Sequence, residues 1–330
     1  MSRRSLAEIV LWASNFVSLD PHAIQQLKTE ASTRRFWRCR TKTRSVVLMD
    51  SPPSTENNEQ FLRLANIFLT SSIPVPRVIA SDLNKGFFII EDVGMSDFHA
   101  EYTKGRVNEC LGLAVDVLHT IQQINSEHIP SYSNERLCTE LKIFEEFICN
   151  SMLEISARPL QNNTETILNI IRSAPNITVH RDFHCRNLLV RAEPPGIGVV
   201  DFQDALVGPM TYDLASLLYD CYWEHSPVDI QNWTVKFYKQ IASNTHWSVS
   251  FDNFEKALKT TAVQRLLKAC GIFYRLWVNR QQSSHLQFIL PSLQKAYKLC
   301  GELDSLEELH DWLGVEVIPR GQTCLNEHNR

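Results

Sequence analysis

The sequence predicts a bilobal α+β protein with a small β-rich N-lobe and a larger, mostly helical C-lobe. Short β-rich runs follow one another up to about residue 95, and apolar residues at helical spacing dominate the chain beyond it. Because 330 residues exceed the size of an average domain, we place one boundary after Gly94. We therefore expect an N-lobe of residues 1–94 and a C-lobe of residues 95–330.

The N-lobe elements follow from periodicity and turn residues. The apolar spacing of residues 6–17 predicts an amphipathic helix, and Asp20 with Pro21 is expected to open a second short helix. The runs "RRFWRCR" and "RSVVLMD", separated by "TKT", predict a β-hairpin. A helix is expected over residues 61–69, and "IPVPRVIASD" and "GFFIIEDVG" predict two further strands.

The C-lobe is predicted to be helical except around one polar motif. Apolar residues at helical spacing predict long helices over residues 111–121 and 141–148, and more helices from Asp213 onward. The runs "NITVH", "NLLV" and "IGVVD" predict three short strands near the motif. The polar tail "RGQTCLNEHNR" is expected to fray.

Composition disfavours several classes of function. A formal net charge of −4 gives no general attraction to nucleic acid or to anionic membranes. The nine cysteines form no C-x-x-C pair, so we expect reduced thiols and neither a disulfide framework nor a zinc site. No apolar run approaches the roughly 18 residues that cross a membrane, and Glu8 interrupts the first apolar patch. We expect a cytoplasmic protein without nucleic-acid or membrane partners, and its oligomeric state stays open.

The motif "VHRDFHCRNLLV", followed by "VVDFQDA", carries the chemistry. Protein kinases use H-R-D with an Asn five residues later, then an Asp in D-F-G after a strand; here Asp182, Asn187 and Asp201 have this spacing. Asp182 is expected to orient and deprotonate a hydroxyl, while Asn187 and Asp201 offer the oxygen ligands that Mg²⁺ prefers. The alternative, that such residues only cap turns, explains each residue alone but not the combination.

The quoted motif and "VVDFQDALVGPMTYDLASLL" resemble the aminoglycoside phosphotransferase/choline kinase superfamily, which has a protein-kinase-like fold. Within it, the resemblance is strongest to the kinases that act on the anomeric hydroxyl of N-acetylmuramate and N-acetylglucosamine, and it covers roughly Thr29 to Trp223. It implies an ATP- and Mg²⁺-dependent enzyme that phosphorylates the 1-hydroxyl of an N-acetylated amino sugar. It also implies peptidoglycan recycling in a bacterial cytosol, with a small-molecule sugar as the partner.

The resemblance assigns roles residue by residue. Asp182 matches the catalytic base, and Asn187 and Asp201 match the metal ligands. The residues that match its nucleotide-binding loop are Ser32, Arg34 and Arg35. Its hinge, which contacts adenine through backbone groups, is matched by Glu91, Asp92 and Val93.

One departure concerns the lysine with which most kinases hold the α- and β-phosphates of ATP. The strand "SVVLMDSPP" has no lysine and ends in Met49 and Asp50; the anomeric sugar kinases share M-D-x-P-P at this point. An arginine, Arg35 or Arg38, is the candidate replacement.

Four further residues are candidates for substrate binding, each with a plainer alternative. Gln203 and Asp204 either bind substrate hydroxyls or stabilise their loop, and His184 either touches substrate or metal or bonds a backbone carbonyl. Arg275, with Arg280 nearby, either holds an anionic group such as a lactyl carboxylate or lies on a solvated helix face. Asp213 is expected to brace the catalytic loop or to cap the next helix.

Two rival functions stay open at this point. One is another small-molecule kinase of the same fold, which acts on an aminoglycoside, choline or a related alcohol. The other is a nucleotide-binding pseudokinase, and the missing lysine is the only feature that supports it. The complete set of base and metal ligands argues against it, because a scaffold has no use for them.

Overall fold

The structure is a computed structural model that describes residues 5–27, 33–125, 127, 129–194, 196–242 and 249–328. The chain forms two compact units. Unit 1 comprises Met1–Phe98 with Asn187–Asp204, and unit 2 comprises His99–Arg186 with Ala205–Arg330.

The described strands are β1 Leu19–Leu27, β2 Arg35–Thr41, β3 Ser45–Asp50, β4 Val78–Asp82, β5 Phe87–Glu91, β6 Ser96–Asp97, β7 Asn176–Val179, β8 Leu188–Val190, β9 Ile197–Val199 and β10 Leu206–Pro209. The described α-helices are α1 Leu6–Ala13, α2 Asn58–Thr70, α3 Phe98–Thr103, α4 Val107–Gln122, α5 Asn134–Phe144, α6 Arg158–Arg172, α7 Tyr212–Leu218, α8 Pro227–Ala242, α9 Phe251–Arg280, α10 Ile289–Gly301, α11 Glu307–Trp312 and α12 Ile318–His328. Helix α5 continues as a π-helical stretch over Glu145–Leu153.

Unit 1 contains a five-stranded antiparallel sheet in the order β1-β2-β3-β5-β4. The predicted hairpin and the two later strands are confirmed, but the short helix expected at Asp20 and Pro21 is wrong because these residues lie in β1. The pairing of β1 with β2 is irregular between Leu19 and Ile24, which accommodates a proline at a sheet edge since proline cannot donate a ladder hydrogen bond.

A smaller sheet in unit 1 joins two distant parts of the chain. Strand β8 pairs with β6 on one side and with β9 on the other, in the order β6-β8-β9. This pairing explains why residues 187–204 group with the N-terminal residues, although the sequence-based division assigns them to residues 95–330.

Unit 2 is built around the 30-residue helix α9, which packs against α5, α6, α7 and α10. Close helix crossing depends on Gly271, where a Cβ atom would lie 2.6 Å from the carbonyl oxygen of Ile143. The predicted frayed tail is wrong over its described part, because Leu325 is buried in α12 and Cys324 contacts the carbonyl of Met152. The helices in unit 2 and the sheet in unit 1 confirm the predicted α+β class. In the described part of the chain, no helix is both long and apolar enough to span a membrane.

Candidate active site

A buried carboxylate braces the loop that carries the H-R-D motif. Asp213, at the start of α7, accepts hydrogen bonds from the backbone N–H of His180 (2.6 Å) and of Arg181 (2.8 Å). Both amides come directly after β7, so Asp213 fixes the chain where it leaves the strand. Burial raises the pKa of Asp213, and His180 and the two amide hydrogen bonds oppose this rise. The predicted bracing role is confirmed.

Arg181 has a left-handed backbone, with φ of 80°. This conformation costs a residue with a side chain about 1–3 kcal/mol, so surrounding contacts must maintain it. Its side-chain Nη2 donates to Glu140 Oε1 at 2.6 Å, and its carbonyl oxygen accepts a hydrogen bond from Arg265 Nη1. Both ends of Arg181 are therefore held, which sets the direction in which the chain enters Asp182.

Glu140 of α5 is the centre of a buried polar cluster and is itself only 4% exposed. We define the Glu140 cluster as this carboxylate and its hydrogen-bond donors, which are Arg181, Lys268 (3.0 Å), Gln264 (3.0 Å) and the hydroxyls of Tyr132 and Tyr212 (3.2 Å). Burial alone would raise the pKa of Glu140. The charges of Lys268 and Arg181 and the hydrogen bonds outweigh burial and lower this pKa to about 2.

Asp182 is half-buried beside this cluster in unit 2. Burial favours its neutral form, but Lys268 and Arg265 of α9, together with Arg181, outweigh burial and hold the pKa of Asp182 far below its ordinary value. His184 on the same loop acts in the same direction. Asp182 is therefore a carboxylate at physiological pH, able to accept a hydrogen bond from a hydroxyl.

In unit 1, the two predicted metal ligands lie side by side. Asn187 directly precedes β8, and its carbonyl accepts a hydrogen bond from Val200 N–H (3.0 Å). Its amide Nδ2 lies 3.4 Å from Asp201 Oδ2. Asp201 is exposed and has a left-handed backbone, with φ of 64°. The next residue, Phe202, is buried and stacks on Phe61 and Phe68 of α2, which anchors the turn.

This pair fits a hard divalent cation. A half-turn of the Asn187 amide brings its oxygen beside the Asp201 carboxylate, so the two side chains can share one ion. Across the described residues, no group of three or more His, Cys, Asp or Glu could hold a metal. A site with only two protein ligands suits Mg²⁺, which takes its remaining ligands from phosphates and water.

Gln203 supports the carboxylate of Asp201. Its side-chain Nε2 donates to Asp201 Oδ1 at 2.6 Å, and its carbonyl accepts from Gln60 Nε2 of α2 at 2.8 Å. These bonds favour the loop-stabilising alternative for Gln203 over direct substrate binding. The neighbouring Asp204 is exposed.

The predicted nucleotide-loop residues differ in their surroundings, and Ser32 lies outside the described residues. Arg34 is buried, where its guanidinium contacts Ser51 (3.1 Å) and Glu56 (3.2 Å). These contacts give Arg34 a structural role.

Arg35 is more exposed and pairs with Asp50, the residue directly opposite it on β3. Its guanidinium lies 5.3 Å from the Trp37 ring. Asp50 lies at the end of β3, where most kinases have the lysine that this chain lacks. The Arg35 guanidinium is thus held at that strand end.

The side chains of the predicted hinge are engaged within unit 1. Glu91 pairs with Arg77 (3.1 Å) and Arg191 (2.6 Å). Arg38 donates two hydrogen bonds to Asp92 (2.7 and 2.9 Å) and one to the Gly94 carbonyl (2.7 Å). Arg38 therefore braces this segment, which leaves Arg35 as the candidate for the missing lysine.

Val93 is buried against Gly198, where a Cβ atom would lie 2.8 Å from the Cβ of Val93. The expectation that adenine meets the backbone of residues 91–93 stays a prediction.

The remaining predicted residues lie in unit 2. His184 packs edge-on against Tyr222, with ring centroids 5.2 Å apart. Arg275 of α9 is half-buried with its guanidinium 5.9 Å from the Phe147 ring, and Arg280 is exposed at the end of the same helix.

Sequence reasoning missed the groups that surround Asp182. Glu140 did carry a signal, because it shares a helix face with the apolar Leu137 and Phe144 in α5. Lys268 and Arg265 carried none, since cations at this spacing on a helix usually face solvent.

Comparison with known proteins places the chain in a family. Residues 23–233 match the phosphotransferase enzyme family. The chain is 31% identical over 271 residues to the N-acetylmuramate/N-acetylglucosamine kinase of Pseudomonas aeruginosa, covering 80% of each protein. It is 32% identical over 260 residues to the kinase of the same name from Neisseria meningitidis, covering 75% of this chain and 77% of that one. Among solved structures, amicoumacin kinase in complex with AMP-PNP and Ca²⁺ superposes with a TM-score of 0.63 at 14% identity, covering 91% of this chain and 95% of that one.

The chain belongs to the phosphotransferase enzyme family, because the family match spans well over half of its 330 residues. The predicted resemblance and the predicted class of fold are thereby confirmed, and so is the general reaction, transfer of a phosphoryl group.

Glu140→Gln is expected to destabilise the protein by about 3–5 kcal/mol, because it leaves the buried charges of Arg181 and Lys268 without their carboxylate. Urea denaturation of the wild type and of Glu140→Gln measures this difference in the free energy of unfolding. Glu135→Gln is the matched control on the same helix; it is exposed and should change the free energy of unfolding by less than about 0.5 kcal/mol.

The destabilisation caused by Glu140→Gln is expected to depend on pH. Since the pKa of Glu140 is about 2 in the folded protein and its ordinary value is 4.5, the ionised carboxylate stabilises the fold fully above pH 4.5. This contribution is lost as the pH falls from 4.5 towards 2. The stability difference between wild type and Glu140→Gln should therefore narrow below pH 4.5, and a constant difference would contradict the assignment.

Gln203→Ala is expected to raise the Mg²⁺ concentration for half-maximal activity by roughly 3- to 10-fold, because Asp201 loses one hydrogen-bond donor. The KM for the phosphoryl acceptor should stay within about twofold of wild type on the same reasoning. Steady-state kinetics at varied Mg²⁺ and acceptor concentrations separate the two. A raised acceptor KM with an unchanged Mg²⁺ requirement would instead assign Gln203 to substrate binding.

Proposed function

We propose that this protein is an ATP- and Mg²⁺-dependent kinase that phosphorylates the 1-hydroxyl of N-acetylmuramate, N-acetylglucosamine or both. The observation that carries the proposal is the ionised Asp182 on a braced H-R-D loop. It is supported by the names of the relatives, which share about 30% identity over three quarters or more of the chain.

Asp182 orients the acceptor hydroxyl and receives its proton. In the loose transition state of phosphoryl transfer, the hydroxyl oxygen has formed little bond to phosphorus, so its proton leaves late and a strong base is not needed. A carboxylate of low pKa suits this role, because it accepts the hydroxyl hydrogen bond throughout the reaction. Lys268, Arg265 and Arg181 keep it in that state.

Asn187 and Asp201 would hold Mg²⁺, which when bound neutralises charge on the phosphates of ATP. The bound AMP-PNP and Ca²⁺ of amicoumacin kinase support a nucleotide and a divalent cation in a protein of this fold. Gln203 keeps the Asp201 carboxylate in place for this purpose.

We assign to Arg35, which lies on β2 opposite Asp50, the phosphate-binding role that a lysine has in most kinases. The guanidinium can donate to phosphate oxygens in the fork geometry that suits them. Adenine is assigned to the backbone of residues 91–93, which Arg38 and Arg191 brace through Asp92 and Glu91. Cell-wall sugar salvage in the cytoplasm is the setting that accords with such a reaction.

The test is incubation of the purified protein with ATP, Mg²⁺ and each sugar, followed by phosphorus NMR of the product. The expected product is a sugar phosphate whose phosphorus couples to the anomeric proton. Asp182→Asn should lower turnover by at least about 100-fold, while Asp116→Asn, an exposed residue of α4, should leave it unchanged.

Other outcomes would point elsewhere. Turnover of choline or an aminoglycoside, with neither sugar phosphorylated, would favour another small-molecule kinase. Failure to bind ATP in the presence of Mg²⁺ would favour the pseudokinase.

A further inference from the structure

The turn after Asp182 presents an arginine on an aromatic surface. The Arg186 guanidinium carbon lies 3.9 Å from the centroid of the Tyr222 ring and 5.1 Å from that of Phe288. All three side chains are half-buried, so they border solvent without being fully exposed. We call Tyr222, Phe288 and His184 the aromatic shelf.

The aromatic shelf is internally packed. Tyr222 and Phe288 meet edge-on at 5.0 Å between ring centroids, and His184 meets Tyr222 edge-on at 5.2 Å. Phe273 of α9 lies behind both rings, at 5.9 Å from Tyr222 and 6.1 Å from Phe288. The rings therefore form a supported surface in unit 2.

Asp220 fixes the two chain segments that carry Arg186 and Tyr222. This carboxylate is only 2% exposed and accepts hydrogen bonds from the backbone N–H of Cys185 (2.9 Å) and of Tyr222 (2.8 Å). Lys295 of α10 donates to the carbonyls of Asp220 and Trp223, both at 2.6 Å. Arg186 and its ring partner are thus held in register by buried hydrogen bonds, as a preorganised binding site requires.

The chemistry of this arrangement suits a carboxylate. A guanidinium stacked on a ring loses little side-chain entropy on binding and keeps its N–H donors in the plane of the fork, where a carboxylate can accept two of them. The rings offer apolar surface beside that charge, which is the usual lining of a small-molecule site.

We propose that Arg186 binds a carboxylate on the phosphoryl acceptor, and that the aromatic shelf contacts the apolar part of the same substituent. Building on the proposed function, Arg186 determines preference for N-acetylmuramate, which carries a lactyl carboxylate, over N-acetylglucosamine, which does not. Arg186 is four positions after Asp182, so their Cα atoms lie within about 14 Å even for an extended chain, and the intervening turn brings them closer. His184 links the two, because its charge acts on the Asp182 carboxylate and its ring packs against Tyr222, over which Arg186 lies. An acceptor bound over His184 can therefore contact both residues.

The test compares two sugars and two arginine variants. For Arg186→Leu, we expect kcat/KM for N-acetylmuramate to fall roughly 10- to 100-fold, the range for a lost hydrogen bond to a charged group. The value for N-acetylglucosamine should change by less than about threefold, which also shows that the variant folds. Arg275→Leu is the matched variant, since Arg275 also lies over an aromatic ring and was the arginine that the sequence predicted for this role.

The methyl ester of N-acetylmuramate isolates the charge. For the wild type, kcat/KM should be lower on the ester than on the acid by about the factor that Arg186→Leu loses on the acid. For Arg186→Leu, kcat/KM should be about equal on acid and ester. An equal fall for both sugars in Arg186→Leu, or a selective loss in Arg275→Leu alone, overturns the inference while the proposed function stands. If the wild type phosphorylates neither sugar, the proposed function fails and this inference fails with it.

Discussion

A single buried carboxylate, Glu140, is the constraint on which the H-R-D loop depends. It holds the side chain of Arg181, whose backbone conformation is strained, and it anchors Lys268 of α9 beside Asp182. Arg265 completes the frame by holding the Arg181 carbonyl. Without Glu140, Arg181 and Lys268 would lose the carboxylate that they share, and the loop would lose the contact that maintains its strain.

The cations around the H-R-D loop favour the ionised form of Asp182. Lys268, Arg265 and Arg181 each lower the pKa of Asp182 against the effect of burial, and Lys268 and Arg181 are themselves held by Glu140. The electrostatic cost of protonating Asp182 is therefore high before any nucleotide binds. This favours a group that orients a hydroxyl over one that removes its proton early, in keeping with the small demand for a base in phosphoryl transfer.

Local spacing in the sequence predicts part of the candidate site. Asp182, Asn187 and Asp201 follow from one short motif and one strand end, and the hairpin follows from its turn residues. What it could not predict depends on residues distant in the chain: Glu140 and Lys268 are 128 positions apart and meet only because α5 packs on α9. Long-range contacts also explain the two predictions that were wrong. The segment around Pro21 is a strand because it pairs with β2, and the tail is helical because Leu325 is buried.

The most direct test of this account is a titration of Asp182 by carboxyl-carbon NMR, in protein labelled with ¹³C at the aspartate side chains. The signal is assigned by its absence in Asp182→Asn. We predict that its chemical shift stays at the ionised value at every pH at which the protein remains folded, because the three cations hold the pKa far below the ordinary range. A titration at or above the pKa of an ordinary aspartate, about 3.9, would contradict the claim that Lys268, Arg265 and Arg181 keep the proposed catalytic residue ionised.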